Sequence, residues 1–141
     1  MIANKAANKA ANKATNKAPH NVLTGNIEKM TIDNKNYRKV INTTRHQQLV
    51  LMSLKPKEEI GMEKHKKVDQ FIRIEKGSAI AIIGKDEQKI YKLKKEYYIT
   101  IPAGTYHNII NIGKSELKLY SIYSPSNHKK GTVQRVKPKN D

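Results

Sequence analysis

The sequence predicts an all-β fold, a sandwich or barrel of short strands, preceded by a basic N-terminal tail of low complexity. Between about residues 26 and 126, β-branched and aromatic residues alternate with polar ones in seven short runs. Turn-forming residues separate these runs at regular spacing, and no long amphipathic helix interrupts them. Before residue 26 a repeated four-residue unit replaces this pattern.

The tail, residues 1–25, begins with repeats of the unit Asn-Lys-Ala-Ala, slightly varied toward the end. These repeats carry too little apolar surface to offset the entropy of ordering, so we predict that the tail is disordered. They also place lysines at every fourth position, namely Lys5, Lys9, Lys13 and Lys17. Two interpretations stay open for these lysines: contact with the phosphates of nucleic acid or another polyanion, or a solvated tail without a partner.

The predicted strands follow in order and define the folded domain, which we expect to span residues 26–133. They cover residues 47–54, 68–75, 78–83, 88–93, 97–101, 106–112 and 116–124. Residues 84–87 read as a hairpin turn between the third and fourth strands, and Pro102-Ala103-Gly104 separates the fifth from the sixth. Residues 131–133 are typical of a final strand, and residues 134–141 form a short basic C-terminal tail.

Composition narrows the possible partners and chemistry. Twenty-eight basic residues against twelve acidic ones give a formal net charge of +16, which favours association with polyanions. The absence of cysteine excludes disulfides, thiolate metal ligands and cysteine nucleophiles. The chain shows no apolar run long enough to span a bilayer and no secretory signal, so we expect a soluble, intracellular protein, located in a virion or nucleus if the source is a virus.

Four polar residues are predicted to point toward the domain interior. On the strand at residues 68–75, Gln70 shares its face with apolar side chains, and a buried amide needs a partner or a ligand. Glu63 and His65 are two residues apart and project from the same side of an extended segment. His107 shares a face with Ile109 and Asn111. Periodicity predicts that these groups face inward but does not show that they meet.

The spacing of these residues resembles the two sequence motifs of the cupins. The first motif runs from a glycine through a metal ligand, a histidine and a glutamate to a second glycine, and its positions fall here on Lys57, Glu63, His65, Gln70 and Gly77. The second motif runs from a glycine through proline, glycine and histidine to asparagine, and its positions fall on Glu96, Pro102, Gly104, His107 and Asn111. The resemblance extends from about residue 36 to residue 133.

This resemblance implies a double-stranded β-helix, or jelly-roll barrel, of the kind found in small single-domain cupins. The chain also resembles the subgroup described as similar to mannose-6-phosphate isomerase, in which glutamate and glutamine commonly replace the first histidine and the glutamate. The implied metal ligands are Glu63, His65, Gln70 and His107, with Fe, Mn, Ni or Zn as the divalent ion. Cupins frequently form dimers, so the resemblance also implies a homodimer.

The chain departs from the cupin pattern at three positions. Lys57 and Glu96 stand where each motif begins with a glycine, and those glycines serve turns with positive φ. We therefore expect both loops to be reshaped. Gln70 replaces a glutamate and removes one negative charge from the implied ligand set. An alternative interpretation is a metal-free cluster in which the same four groups are hydrogen-bonded to one another.

Two functions of different classes remain open at this point. The first is a metal-dependent cupin that acts on a small molecule such as a sugar or sugar phosphate, isomerase-like or oxygenase-like if it is an enzyme, with Glu63 as a candidate base. The second is a non-enzymatic protein associated with nucleic acid or another polyanion, in a virion or on a genome, that binds through its basic tail. His20 and His46 are expected to be exposed, the strand tyrosines are expected to pack, and His128 is a weaker candidate for the pocket.

Overall fold

A computed structural model of the chain describes residues 22–139, so Lys5, Lys9, Lys13 and Lys17 of the tail lie outside the described residues. The chain divides into two compact units, Met1–Met30 and Thr31–Asp141. Helix α1, Ile27–Asp33, begins in the first unit. Asn26 caps this helix because its side-chain Oδ1 accepts a hydrogen bond from the backbone N–H of Lys29 at 3.0 Å.

The second unit contains the β-strands of the described part of the chain. In order they are β1 Arg38–Thr43, β2 Gln48–Leu54, β3 Asp69–Lys76, β4 Ser78–Ile83, β5 Lys89–Lys94, β6 Tyr98–Ile101, β7 His107–Asn111, β8 Leu117–Ser124 and β9 Val133–Gln134. A six-stranded antiparallel sheet has the order β6-β3-β8-β2-β1-β9, and a three-stranded antiparallel sheet has the order β5-β4-β7.

One apolar core is built from the inward faces of the two sheets. Val50, Met52 and Leu54 share one face of β2 in the large sheet, Ala79 and Ala81 share one face of β4 in the small sheet, and all five are fully buried in the core. These apolar faces are the physical reason for the two-layer architecture, because each sheet has one such face to bury. The predicted all-β, jelly-roll fold is confirmed.

The seven predicted strands all form, with ends that shift by at most one residue. The predicted hairpin turn at residues 84–87 lies between β4 and β5. The predicted final strand at residues 131–133 is present as the two-residue β9, which overlaps the prediction only at Val133 and pairs with β1. The sequence did not predict α1 or β1, and no helix among residues 22–139 has the length and apolar character needed to cross a membrane.

Two loops hold a non-glycine residue in the left-handed backbone region. The φ angles are 69° at Lys57 and 74° at Glu96, the two positions where the cupin motifs begin with glycine. The expectation of reshaped loops is therefore wrong, because both loops keep the positive φ without a glycine. Backbone hydrogen bonds enforce this conformation: the Lys57 N–H donates to the carbonyl of Asn111 at 3.1 Å, and the Glu96 N–H donates to the carbonyl of Ile74 at 2.8 Å.

Replacing Lys57 or Glu96 by glycine should raise the free energy of unfolding by about 0.5–1 kcal/mol at each position. Glycine removes the clash between Cβ and the carbonyl oxygen at positive φ, and this gain exceeds the added entropy of the unfolded chain. Urea unfolding measures the change. Lys95→Gly, at the preceding residue where φ is not positive, is the matched control and should lower the stability. If Lys95→Gly and Glu96→Gly lowered the free energy of unfolding equally, the backbone at Glu96 would not be strained.

Candidate metal centre

A segment between β2 and β3 runs alongside β7 and brings Glu63 next to His107. Isolated β-bridges join Glu59 to Ile110 and Glu63 to His107. At the second bridge the N–H of each residue donates to the carbonyl of the other, both at 2.9 Å. A reciprocally bonded antiparallel pair carries its two side chains next to each other on one face. The backbone therefore places the carboxylate beside the imidazole.

The loop that precedes His107 is also hydrogen-bonded to the His65 segment and to the start of β3. The carbonyl of His65 accepts a hydrogen bond from the Gly104 N–H at 2.7 Å, and the carboxylate of Asp69 accepts one from the Ala103 N–H at 2.8 Å. Gly104 has a φ of 82°, which a side chain would disfavour. These contacts tie the His65 segment, β3 and the start of β7 to a single loop.

Glu63, His65 and His107 form one cluster in which the potential ligand atoms all lie within 4.8 Å of one another. Oε1 of Glu63 is 3.2 Å from Nε2 of His65 and 3.4 Å from Nε2 of His107. The two imidazole ring centroids are 5.3 Å apart. Two imidazoles and one carboxylate, supplied from separate segments, are a donor set that suits divalent Fe, Mn, Ni or Zn.

The tautomer of His107 follows from its second nitrogen. Nδ1 lies 2.9 Å from the backbone carbonyl of Thr105, and since a carbonyl only accepts, Nδ1 carries the proton in the neutral ring. Nε2 is then a bare acceptor, buried, and without a hydrogen-bond partner among the described residues. It faces a carboxylate oxygen, which is also an acceptor. Two facing acceptors repel unless a cation, either a proton or a metal ion, lies between them.

The electrostatics of the cluster keep Glu63 ionised. Burial raises the pKa of this carboxyl, but His107 and His65, in their protonated forms, donate hydrogen bonds and supply positive charge that outweigh burial and lower the pKa to about 2. Because the pKa falls below its usual value, the ionised form stabilises the fold above about pH 4.5, and this stabilisation is lost as the pH falls through about 2. Near neutral pH the site therefore presents a negative charge to any cation.

Gln70, the fourth candidate, is buried on β3 with its amide orientation fixed. Its Nε2 donates to Oγ of Ser121 at 3.1 Å and to the phenol oxygen of Tyr123 at 3.2 Å. Both N–H groups are thus used, and Oε1 is left buried without a hydrogen-bond partner among the described residues. The ring of Tyr123 meets the ring of His65 edge-on at 5.8 Å, so Gln70 is connected to the cluster through this tyrosine.

Sequence reasoning missed the role of Tyr123 and underrated that of His128. Tyr123 was expected to pack in its strand or to line the barrel mouth, yet its buried phenol contacts Gln70 on one side and lies 3.3 Å from Nε2 of His128 on the other. Burial raises the pKa of this phenol, and the negative charge of Glu63 raises it further. Gln48 holds His128 in place: Gln48 Oε1 accepts from the His128 N–H at 2.9 Å, and Gln48 Nε2 donates to the His128 carbonyl at 2.7 Å.

A signal for these residues was present in the alternation of the strands. Gln48 and Tyr123 occupy inward positions of β2 and β8 by the same two-residue period that identified Gln70. His128 lies in the loop after β8, where the two-residue period of a strand does not apply, so its direction was not predictable in this way. His46 is exposed as expected, whereas His20 lies outside the described residues.

Comparison with known proteins gives agreement from sequence and structure. The sequence profile of the cupin domain matches residues 50–123. An uncharacterised protein of Acanthamoeba polyphaga mimivirus is 50% identical over 120 residues, covering 84% of this chain and 75% of the relative. The uncharacterised protein YrkC of Bacillus subtilis is 46% identical over 115 residues, covering 79% of this chain and only 62% of YrkC.

Among solved structures, BH2720 from Bacillus halodurans superimposes with a TM-score of 0.79 and 41% sequence identity, covering 80% of this chain and 88% of that one. TT1209 from Thermus thermophilus shares the fold with a TM-score of 0.61 and 18% identity, covering 72% of this chain and 96% of that one. With the domain profile, the sheet topology and the His/Glu cluster in agreement, this chain belongs to the cupin family.

Proposed function

We propose that the chain binds one divalent metal ion, Fe, Mn, Ni or Zn, and uses it to bind and transform a small molecule. The ligands are Glu63, His65 and His107, with the amide oxygen of Gln70 as the fourth. One observation carries the proposal: the ligand atoms of Glu63, His65 and His107 all lie within 4.8 Å of one another, and in the neutral ring the buried Nε2 of His107 faces a carboxylate oxygen 3.4 Å away as an acceptor. A metal ion converts this repulsion into two bonds.

Each protein group has a distinct part in such a site. Glu63 supplies the negative charge that offsets the charge of the ion, and His65 and His107 supply neutral nitrogen ligands. The carbonyl of Thr105 fixes the tautomer and ring orientation of His107. Ser121 and Tyr123 direct the Gln70 oxygen by occupying its amide hydrogens. When bound, the ion supplies a Lewis acid that polarises a substrate oxygen.

Glu63 is better suited to be a ligand than the general base. An efficient base has a pKa near the working pH, and the pKa of Glu63 is lowered to about 2, so the carboxylate accepts protons poorly near neutrality. Its position against both imidazoles fits direct coordination. Whether the transformation is isomerase-like or oxygenase-like stays a prediction of the family resemblance, as does the homodimer.

Removing a ligand should abolish tight metal binding. We expect Glu63→Gln and His107→Gln each to weaken the affinity for Zn or Mn by at least about 100-fold, because each loses a direct bond where even supporting residues contribute about 10–100-fold. Isothermal titration of chelator-treated protein, with elemental analysis of the reloaded protein, measures affinity and stoichiometry.

The matched controls for these variants are Glu87→Gln in the hairpin turn and His46→Gln before β2, both at exposed positions. These should bind one ion with unchanged affinity. A wild-type protein that takes up no ion, or ligand variants that bind as tightly as the controls, would rule out the proposed site in favour of a metal-free hydrogen-bonded cluster.

Tyr123→Phe should lower metal affinity by about tenfold without unfolding the protein, because the phenol no longer fixes the amide of Gln70. Tyr120→Phe, on the opposite face of the same strand, is the control and should have no effect on affinity. The absorption spectrum of the Co²⁺-loaded protein reports the coordination. If Tyr123→Phe and Tyr120→Phe gave the same spectrum and affinity as wild type, Gln70 would not be positioned through Tyr123.

We also propose, as a second and separable function, that the chain binds polyanions through its basic tail. The observation that favours it is the net charge of +16, to which Lys5, Lys9, Lys13 and Lys17 contribute outside the cupin motifs. Such binding reads phosphate charge and not base sequence, so it depends strongly on salt.

A variant with glutamine at all four tail lysines keeps the tail length and tests this second function. If each lysine contacts a phosphate of duplex DNA, the slope of log affinity against log salt should become shallower by about 3–4. A mobility shift over a salt series measures the slope, and deletion of residues 1–19 should give the same result. Equal slopes for wild type and both variants would show that the tail does not bind DNA.

A further inference from the structure

An apolar pocket opens at the seam where the two sheets are not hydrogen-bonded to each other. Strand β5 is an edge of the small sheet and β6 is an edge of the large sheet. Between them lies a pocket of about 320 Å³, lined by Ile83, Tyr91, Ile99, Thr100, Ile101, Pro102 and Thr105. Of these residues, Ile83 and Ile99 also pack against the core, and Tyr91 is 46% exposed.

This pocket lies next to the candidate metal centre through three separate contacts. Ile83 of β4 pairs with His107 of β7, and paired residues carry their side chains on the same face. Ile101 of β6 pairs with Gln70 of β3 in the same way. Thr105, which also lines the pocket, is the residue whose carbonyl holds Nδ1 of His107. The lining therefore adjoins the cluster and the fourth ligand.

The lining residues indicate which kind of ligand the pocket can bind. None of the seven is charged, and most present aliphatic or aromatic surface. A phosphate placed among these seven residues would lose hydration without finding a charged side chain in the lining, and a sugar would leave most of its hydroxyls unpaired. A cavity of about 150 Å³ holds benzene, so a pocket of twice that volume suits an apolar group of about ten non-hydrogen atoms.

We infer that the substrate of the proposed metal centre is a small, uncharged and mainly apolar molecule whose hydrocarbon or aromatic part occupies this seam pocket, with an oxygen atom directed at the metal. This inference rests on the proposed function and narrows it, because it disfavours the sugar phosphate predicted from the family resemblance. Its driving force is the burial of apolar surface against Ile83, Ile99 and Ile101.

The inference is tested with 4-methylphenol as an apolar probe and methyl glucoside as a polar probe with the same number of carbon atoms. Amide chemical shifts of the full-length ¹⁵N-labelled chain are followed during titration, once with Zn-loaded and once with chelator-treated protein. We expect 4-methylphenol to shift the amides of Ile83, Ile101 and Thr105 in both forms and methyl glucoside to leave them unchanged.

Ile99→Trp fills the pocket and should weaken binding of 4-methylphenol by at least about tenfold, which corresponds to about 1.4 kcal/mol. Ile90→Trp is the matched control, since Ile90 neighbours Tyr91 on the opposite face of β5 and is 62% exposed, and it should leave affinity unchanged. Tyr91→Ala removes a lining side chain at an exposed position and should also weaken binding of 4-methylphenol. This second variant tests the pocket if Ile99→Trp does not fold.

The outcomes separate this inference from the metal proposal. Binding of 4-methylphenol that Ile99→Trp weakens, in a protein that takes up no metal, supports the pocket and defeats the metal centre. Stoichiometric metal binding with no pocket-dependent shifts overturns the apolar substrate alone. A dimer that Ile99→Trp dissociates, with no binding of 4-methylphenol, would also overturn it, because the seam would then be an interface between two copies of the chain.

Discussion

The site depends on the antiparallel bridge between Glu63 and His107. Two reciprocal backbone hydrogen bonds of 2.9 Å attach the segment before β3 to the start of β7 and set the carboxylate and the imidazole side by side. The carbonyl of Thr105 then fixes the proton on Nδ1 of His107, which leaves Nε2 as a buried acceptor facing an anion. Backbone geometry, not side-chain attraction, holds these two acceptors together, and such an arrangement is stable only with a cation between them.

Backbone and side-chain hydrogen bonds also hold the residues around Gln70 in place. Gln48 clamps His128, His128 contacts the phenol of Tyr123, and Tyr123 and Ser121 use both amide hydrogens of Gln70. A neutral amide replaces the usual carboxylate, and its orientation is secured by a chain of buried hydrogen bonds. Such networks are costly when incomplete, and the Gln70 oxygen, which has no hydrogen-bond partner among the described residues, is the atom that we propose as the fourth metal ligand.

Most of the fold could be predicted from the sequence because strands with one buried face alternate with a period of two. Helix α1 and strand β1 were not predicted. Helix α1 has only seven residues, too few for a clear helical period. Strand β1 buries the charged Arg38, which donates to Gln134 at 2.6 Å, so its inward face is not purely apolar. The inward direction of Glu63, His65, Gln70 and His107 was predictable by the same period, but their meeting depends on pairing between distant segments and was expected only from the cupin motifs. The expectation that the loops at Lys57 and Glu96 are reshaped was wrong for a physical reason. Backbone hydrogen bonds to neighbouring strands hold the positive φ at both residues, although local propensity disfavours it without glycine.

The most direct measurement is an anomalous-scattering map from crystals of the full chain loaded with Zn. The predicted result is one strong peak at about 2.0–2.2 Å from Nε2 of His65, Nε2 of His107 and a carboxylate oxygen of Glu63, with the oxygen of Gln70 turned toward the ion. No peak at this position in crystals whose Zn is bound elsewhere, or a direct hydrogen bond from a protonated His107 to Glu63 in its place, would contradict the central claim.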